Sequence, residues 1–386
     1  MQLDKILSSI KTPAFIYDED QIFKAIKDIK KYIPEEICRL LFALKSFSII
    51  DPLYSMGKLI DGFSASSLFE AKLARYILGN GKPVHLTTPG LRVDEVEEIS
   101  ELCNFISFNS LPQFRLYCQM LKNKTSCGVR INPQMSFVKD KRYDPCRIQS
   151  KLGVPLLYLS EQLKSQSLSV KEIKGLHFHT NCESEELEQL ISTLTKIEHH
   201  LPELLHKIEW INIGGGYLFH DNNSINRLGE SLFSFRNKYD IEIYFEPGKT
   251  IVGDAGYIAS TVIDLFENDS CLIAVLDTSV NHMPEVFEYQ YKPSVMQESK
   301  RGKYKYLLAG STCLAGDLFG MYSFKEPIRI GSQIIFKNMG AYTLVKANMF
   351  NGLNLPNIYS YSQDGCISLK KQFSYQEFIM KCGGTI

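Results

Sequence analysis

Four segments of this sequence set reactive side chains where a short apolar run gives way to a polar turn. The run Arg39–Lys45 (RLLFALK) closes on a lysine. An amine in that position is partly desolvated, which favours its neutral form and hence Schiff-base chemistry. A lysine that snorkels its charge away from a strand end is the plain alternative. The run Ile173–Thr180 (IKGLHFHT) carries His177 and His179. A terminal imidazole stacks on a planar group or moves a proton; a satisfied core histidine is the competing reading, stronger for His177. Gly214, Gly215 and Gly216 follow the run WINI. Three glycines let backbone N–H groups come close to a phosphate, although no Gly-Lys-Ser/Thr follows to make a Walker loop. Alone, the triplet reads equally as a tight strand-to-helix turn. Glu246-Pro247-Gly248 ends the run IEIYF, and its carboxylate is either a charge partner or a solvated turn acid. Together these segments offer an amine, an aromatic base, a phosphate cradle and an acid, the set that a planar, phosphorylated, carbonyl-bearing cofactor requires.

The elements that carry these residues repeat. Eight apolar runs, Arg39–Lys45, Ile60–Ala65, Val84–Pro89, Phe105–Ser110, Ser126–Asn132, Ile173–Thr180, Glu209–Gly215 and Ile241–Pro247, each end in a polar or glycine-rich turn. Helical patterns lie between them at Ser66–Leu78, Val93–Leu102, Leu111–Leu121, Ser184–His200 and Ile225–Tyr239. Short buried strands alternating with amphipathic helices predict parallel βαβ units. Eight of them predict an α/β fold with a closed (β/α)8 TIM-like barrel, with a doubly wound open sheet as the alternative. In such a barrel the reactive residues at the strand C-termini share one mouth. The interval Pro133–Lys171, with the charged run Lys139 to Asp144, reads as a lid or a surface excursion. From about residue 250 strand-like runs dominate, at Tyr257–Leu265, Cys271–Leu276, Tyr304–Leu308, Gln333–Lys337 and Tyr342–Val345, and predict a second, mainly β domain.

Bulk properties exclude several classes. The chain has 386 residues, 43 Lys plus Arg and 43 Asp plus Glu, so its formal net charge is zero. That balance gives no electrostatic reason to bind nucleic acid or an acidic membrane. No stretch approaches the ~20 apolar residues of a membrane span, and Met1 to Lys11 lacks the apolar core of a signal peptide. The ten cysteines are scattered without metal-ligand spacing, so no metal is expected and reduced thiols in the cytoplasm are.

The ordered combination of Thr12-Pro13-Ala14-Phe15, Ala43-Leu44-Lys45-Ser46, Ser66 to Ala71, His282-Met283-Pro284, Gly310 to Asp317, Gly340-Ala341-Tyr342-Thr343 and Phe350-Asn351-Gly352 resembles the alanine-racemase-fold decarboxylases. These enzymes depend on pyridoxal 5'-phosphate (PLP). Within that family it is most similar to the branch acting on carboxylated polyamines. The resemblance implies a barrel domain over residues 19–252, and a β domain from residues 1–18 plus 253–386. It implies that Lys45 bonds to PLP, that His179 stacks on the ring, and that Gly214, Gly215, Gly216 and Tyr342 hold the phosphate, with Gly248 in the cofactor-binding turn. Glu246 pairs with the pyridine nitrogen, keeps it protonated, and so favours decarboxylation over racemisation. Cys313, from the other subunit of a homodimer, returns a proton to the substrate carbon.

Two departures bear on the substrate. Leu314 follows Cys313 where ornithine-type enzymes carry an acid, and Lys249 stands where diaminopimelate-type enzymes carry a carboxylate-gripping arginine. Both count against those amino acids. A carboxylated triamine needs acids or acceptors for its distal ammonium groups; Glu285 and Asp317 are the candidates, with His282 orienting Glu285, and Glu246 and Lys249 complete the expected substrate-binding set. A diaminopimelate or basic amino-acid decarboxylase, and a non-catalytic regulatory homologue, are the other readings. The latter usually lacks the lysine or the cysteine, and this chain has both.

Overall fold

The computed structural model describes residues 10–121, 125–219, 221–362 and 364–385. Residues 1–9, which make up most of the N-terminal segment judged not to be a signal peptide, lie outside them. The chain divides into two compact units, Phe23–Thr250 and the pair Met1–Ile22 with Ile251–Ile386.

The first described strand, β1 (Ala14–Asp18), belongs to the smaller unit; the next nine build the larger. These are β2 (Arg39–Ala43), β3 (Gly62–Ala65), β4 (Val84–Thr88), β5 (Phe105–Phe108), β6 (Ser126–Asn132), β7 (Val154–Pro155), β8 (Gly175–His177), β9 (Trp210–Asn212) and β10 (Glu242–Phe245). All are parallel, and β7 is a short addition to β6. The others close on themselves in the order β2-β3-β4-β5-β6-β8-β9-β10, with β10 returning to β2 at Tyr244↔Arg39 and Phe245↔Leu40. The eight runs read from the sequence are the eight strands of this closed barrel.

Helices return the chain between strands and start where the sequence offers caps. Ser67 accepts from the Glu70 N–H at the head of Leu68–Leu78, and the Glu70 carboxylate accepts from Ser66 N at 2.6 Å, a capping arrangement that satisfies two otherwise orphaned donors. Ser110 does the same for Leu111–Tyr117. The charged run 139–144 forms bends and turns, and the interval around it contains one α-helix, Leu156–Lys164.

The barrel is filled, not hollow. Trp210 lies flat against β6 and β8, and a Cβ at Gly175 would fall 2.0 Å from its ring and one at Gly128 2.5 Å. His85 stacks on Phe105 at 4.2 Å and tilts against Tyr244 at 4.3 Å.

The smaller unit contains β1, β11 (Gly256–Asn268), β12 (Cys271–Leu276), β13 (Tyr304–Ala309), β14 (Leu318–Phe324), β15 (Gln333–Lys337), β16 (Asn357–Tyr361) and β17 (Ile367–Lys371). They form one sheet in the order β14-β13-β12-β11-β1-β16-β17, with β15 also on β11. β1 sits inside it, antiparallel to β11 and parallel to β16, and is wholly buried. One expected strand is absent: residues 342–345 form bends and turns. Tyr342 has φ +56°, a left-handed conformation that ends any strand there.

Candidate active site

Barrel register brings the site together. Arg130 on β6 lies level with His177 on β8, His177 with Asn212 on β9, and Asn212 with Tyr244 on β10. Glu246 follows two residues later, and Lys45 follows β2, the strand beside β10. Gly248 packs the two turns together: a Cβ there would meet Ser46 Oγ at 2.8 Å, and Ala43 N donates to Pro247 O at 3.3 Å.

Lys45 stands in a 3-10 turn, Leu44–Ser46, with its side chain open to solvent in the barrel mouth. Protein still surrounds the amine closely. Desolvation lowers its pKa from 10.5, with Glu246 opposing the shift and Arg130 adding to it. An accessible but poorly hydrated amine is a nucleophile. Glu246 is buried. Burial alone would raise its carboxyl, but His177, Lys45 and His85 outweigh that and hold it well below the usual carboxylate range. Its Oε1 accepts from Asn212 Nδ2 at 2.6 Å, and its Oε2 lies 3.6 Å from His177 Nε2.

The glycine triplet is shaped by close approach. Gly214 and Gly216 have φ +69° and +88°. A Cβ on Gly214, Gly215 or Gly216 would come within 2.3, 2.1 or 2.0 Å of the carbonyl oxygens of Phe178, Glu246 and Asn181. The Gly214 N–H donates to Asn212 Oδ1 at 3.0 Å and the Gly215 N–H to His179 Nδ1 at 3.1 Å. The Gly215 bond also fixes the His179 ring, whose proton then sits on Nε2. Burial and the Lys45 and Arg130 charges keep that imidazole neutral.

Sequence reasoning missed four contributors. Arg130 is a buried cation whose pKa falls to about 10 through burial, opposed by Glu246. Its only sequence signal was a charge inside the apolar run SCGVRIN. Asn212, the last residue of WIN, carried no signal apart from its place before the triplet. Glu70, raised mainly by burial and in electrostatic contact with Lys45, was visible as the Ser-x-x-Glu cap of Ser67. His85 was hidden in VHLTT.

The remaining candidates are less central. Lys249 pairs with Glu183 at 2.7 Å on the barrel unit. In the smaller unit Cys313 is exposed on a loop, its N–H held by Asn351 at 2.8 Å. Tyr342 is half-buried, with Lys346 Nζ 5.8 Å from its ring centroid. Lys346 also reaches Glu285 at 3.3 Å and Glu288 at 2.5 Å. His282 is fully buried, bonded through Nδ1 to Thr278 at 3.0 Å, and burial pushes it down to about 4. Asp317 does not fit the expected substrate contact. It is 2% exposed, and its oxygens accept from Val280 N, Thr312 N and Thr312 Oγ1. Its carboxylate ties its own loop together.

Residues 19–253 match the family described as pyridoxal-dependent decarboxylase, pyridoxal binding domain. The chain belongs to this family. It is a PLP-dependent decarboxylase, and it is 36% identical to the carboxyaminopropylagmatine decarboxylase of Synechocystis, over 98% of this chain and 97% of that one. It is 31% identical to the carboxynorspermidine/carboxyspermidine decarboxylase of Campylobacter jejuni, over 96% and 98%. The crystal structure of carboxynorspermidine decarboxylase complexed with norspermidine, also from C. jejuni, superposes with a TM-score of 0.86. It has 30% identity and covers 96% of this chain and all of that one.

The residues of this decarboxylase fit PLP. Side-chain-free glycines leave room for a phosphate, a depressed amine lies in the open mouth, and a carboxylate stays ionised although buried. Among the described residues no helix is long and apolar enough to cross a membrane, and no cluster of His, Cys, Asp and Glu could hold a metal. All ten cysteines are free.

Proposed function

We propose that this chain decarboxylates carboxynorspermidine, carboxyspermidine or both to norspermidine and spermidine. The observation that carries the reading is the meeting of a desolvated amine, an ionised buried carboxylate and a glycine nest at one barrel mouth, in a chain similar end to end to enzymes of that name. PLP, bound there, supplies the sink for the electron pair left when CO₂ departs. Lys45 would hold it covalently, the Gly216 N–H would take its phosphate and His179 would offer a flat neutral face; Tyr342 is the further phosphate ligand that the family resemblance implies. Glu246, held ionised, would pair with the ring nitrogen and so keep a proton there. Cys313, supplied by a second copy of the chain, returns a proton to the former α-carbon. Glu285 is the acid assigned to a distal ammonium; Lys249 and His282, both engaged within their own units, take supporting roles. The cytoplasm suits a chain with ten free thiols.

A carboxylated aminopropylagmatine is the second substrate to consider, because the Synechocystis relative has the higher identity, 36% against 31%. The test is CO₂ release from purified protein with PLP and each carboxylated polyamine, with diaminopimelate, ornithine and arginine alongside. Turnover of the amino acids and none of the polyamines would refute the reading.

A further inference from the structure

Two buried polar side chains, His177 and Asn212, have no part in the chemistry proposed above, and both converge on Glu246. Asn212 is fully buried at the end of β9. Its amide faces two ways. Nδ2 donates to Glu246 Oε1 at 2.6 Å, while Oδ1 accepts from the Gly214 N–H at 3.0 Å. This pair of partners fixes which end is nitrogen, since a backbone N–H needs an acceptor and a carboxylate a donor. One side chain thus bridges the carboxylate to the start of the glycine nest. A second link runs parallel to it, from Glu246 N to Gly214 O at 2.6 Å.

His177 is 2% exposed, and neither ring nitrogen has a hydrogen-bond partner. Buried imidazole nitrogens without partners are uncommon, because desolvation of a polar group costs free energy unless a bond replaces the lost water. Nε2 lies 3.6 Å from Glu246 Oε2, a few tenths of an ångström outside bonding distance. Bonds in active sites are often long until a ligand tightens them. Burial holds this imidazole neutral, so it offers Glu246 a donor without adding a competing cation. The groups beside it are committed elsewhere: His179, two residues on, accepts from the Gly215 N–H, and Arg130, level with it on β6, is a buried cation.

We propose that His177 and Asn212 are positioning residues that grip the two oxygens of the Glu246 carboxylate, one each, and that Asn212 ties that carboxylate to the phosphate nest. They fix the separation and the aim of the two groups that anchor opposite ends of a flat cofactor. The inference rests on the reading of Glu246 as the partner of the ring nitrogen.

The test uses the holoenzyme and variants at Glu246, His177 and Asn212. Its readouts are the absorbance spectrum of bound PLP, PLP retained after dialysis, melting temperature, and kcat and KM with carboxynorspermidine. His177→Phe keeps the ring volume and removes the donor. It should lower kcat by about tenfold, leave KM within about twofold and alter the bound-cofactor spectrum. His177→Gln, a neutral donor, should recover most of both. Asn212→Asp, equal in size but with no N–H for Glu246, should change the spectrum and lose PLP on dialysis. A His177→Phe enzyme with unchanged spectrum and kcat would overturn the inference, and so would a His177→Gln enzyme as impaired as the Phe variant at equal melting temperature. Glu246→Gln separates the two levels. An unchanged spectrum in that variant overturns the reading of Glu246 itself, whereas a changed one alongside a normal His177→Phe overturns only the role given to His177.

Discussion

Lys45 owes its reactivity to what surrounds it. Its amine is held below the 10.5 of a free lysine by burial, against the pull of Glu246. The neutral amine is the attacking form, so the rate at which apoprotein captures PLP should climb with pH and level off below 10.5. Glu246→Gln removes a charge that favours the ammonium form, and should move the inflection to lower pH. Stopped-flow absorbance across pH measures this, and an inflection that stays put or rises contradicts the electrostatic assignment. Glu285 makes a different prediction. Already paired with a lysine amine, it is chemically suited to a substrate ammonium. Glu285→Ala should raise KM for the carboxylated polyamine about fivefold, roughly 1 kcal/mol, with PLP retention unchanged. An unaltered KM would remove it from the substrate site.

The strands and turns were more legible than the network between them. The eight barrel strands stand where apolar runs met polar turns, because a strand buried on both faces writes itself as a continuous apolar segment. Lys45, His179, Gly214 to Gly216 and Glu246 could be found because each interrupts such a run. Asn212 and Arg130 could not, since their importance lies in register with neighbouring strands, which no local pattern encodes. Residues 342–345 were misread because Tyr-Thr-Leu-Val has strand-like composition, while the Tyr342 backbone is left-handed. Two glycines separate packing from binding. Gly175→Ala drives a methyl into the Trp210 ring and should cost about 1–3 kcal/mol of stability. Gly216→Ala meets both a φ of +88° and the Asn181 carbonyl, and should weaken PLP retention as well. Thermal unfolding with and without PLP distinguishes them. A Gly216→Ala protein as strongly stabilised by PLP as the unmodified one would argue against the nest.

Across the whole chain, the proposed catalytic residues divide between the two units: Lys45 lies in one, and Cys313 is exposed on a loop of the other. If copies of the chain exchange these groups, two inactive proteins should repair each other. Mixing Lys45→Ala with Cys313→Ala under conditions that let subunits reassort should restore up to about a quarter of full activity, since half of the random pairs are mixed and each holds one intact site. No recovery, with mixed pairs shown to form, would place both residues of each site in the same copy.

The barrel seam has one more consequence. Lys45 follows the first barrel strand and Glu246 the last, and the two meet because β10 pairs with β2. A nascent chain that has not yet made β10 already carries the lysine and the glycine triplet but lacks the Glu246 counter-charge and the strand that closes the ring. Firm retention of the vitamin should therefore come late in biogenesis, once the ring has closed, so that PLP kept through dialysis doubles as a readout of completed folding.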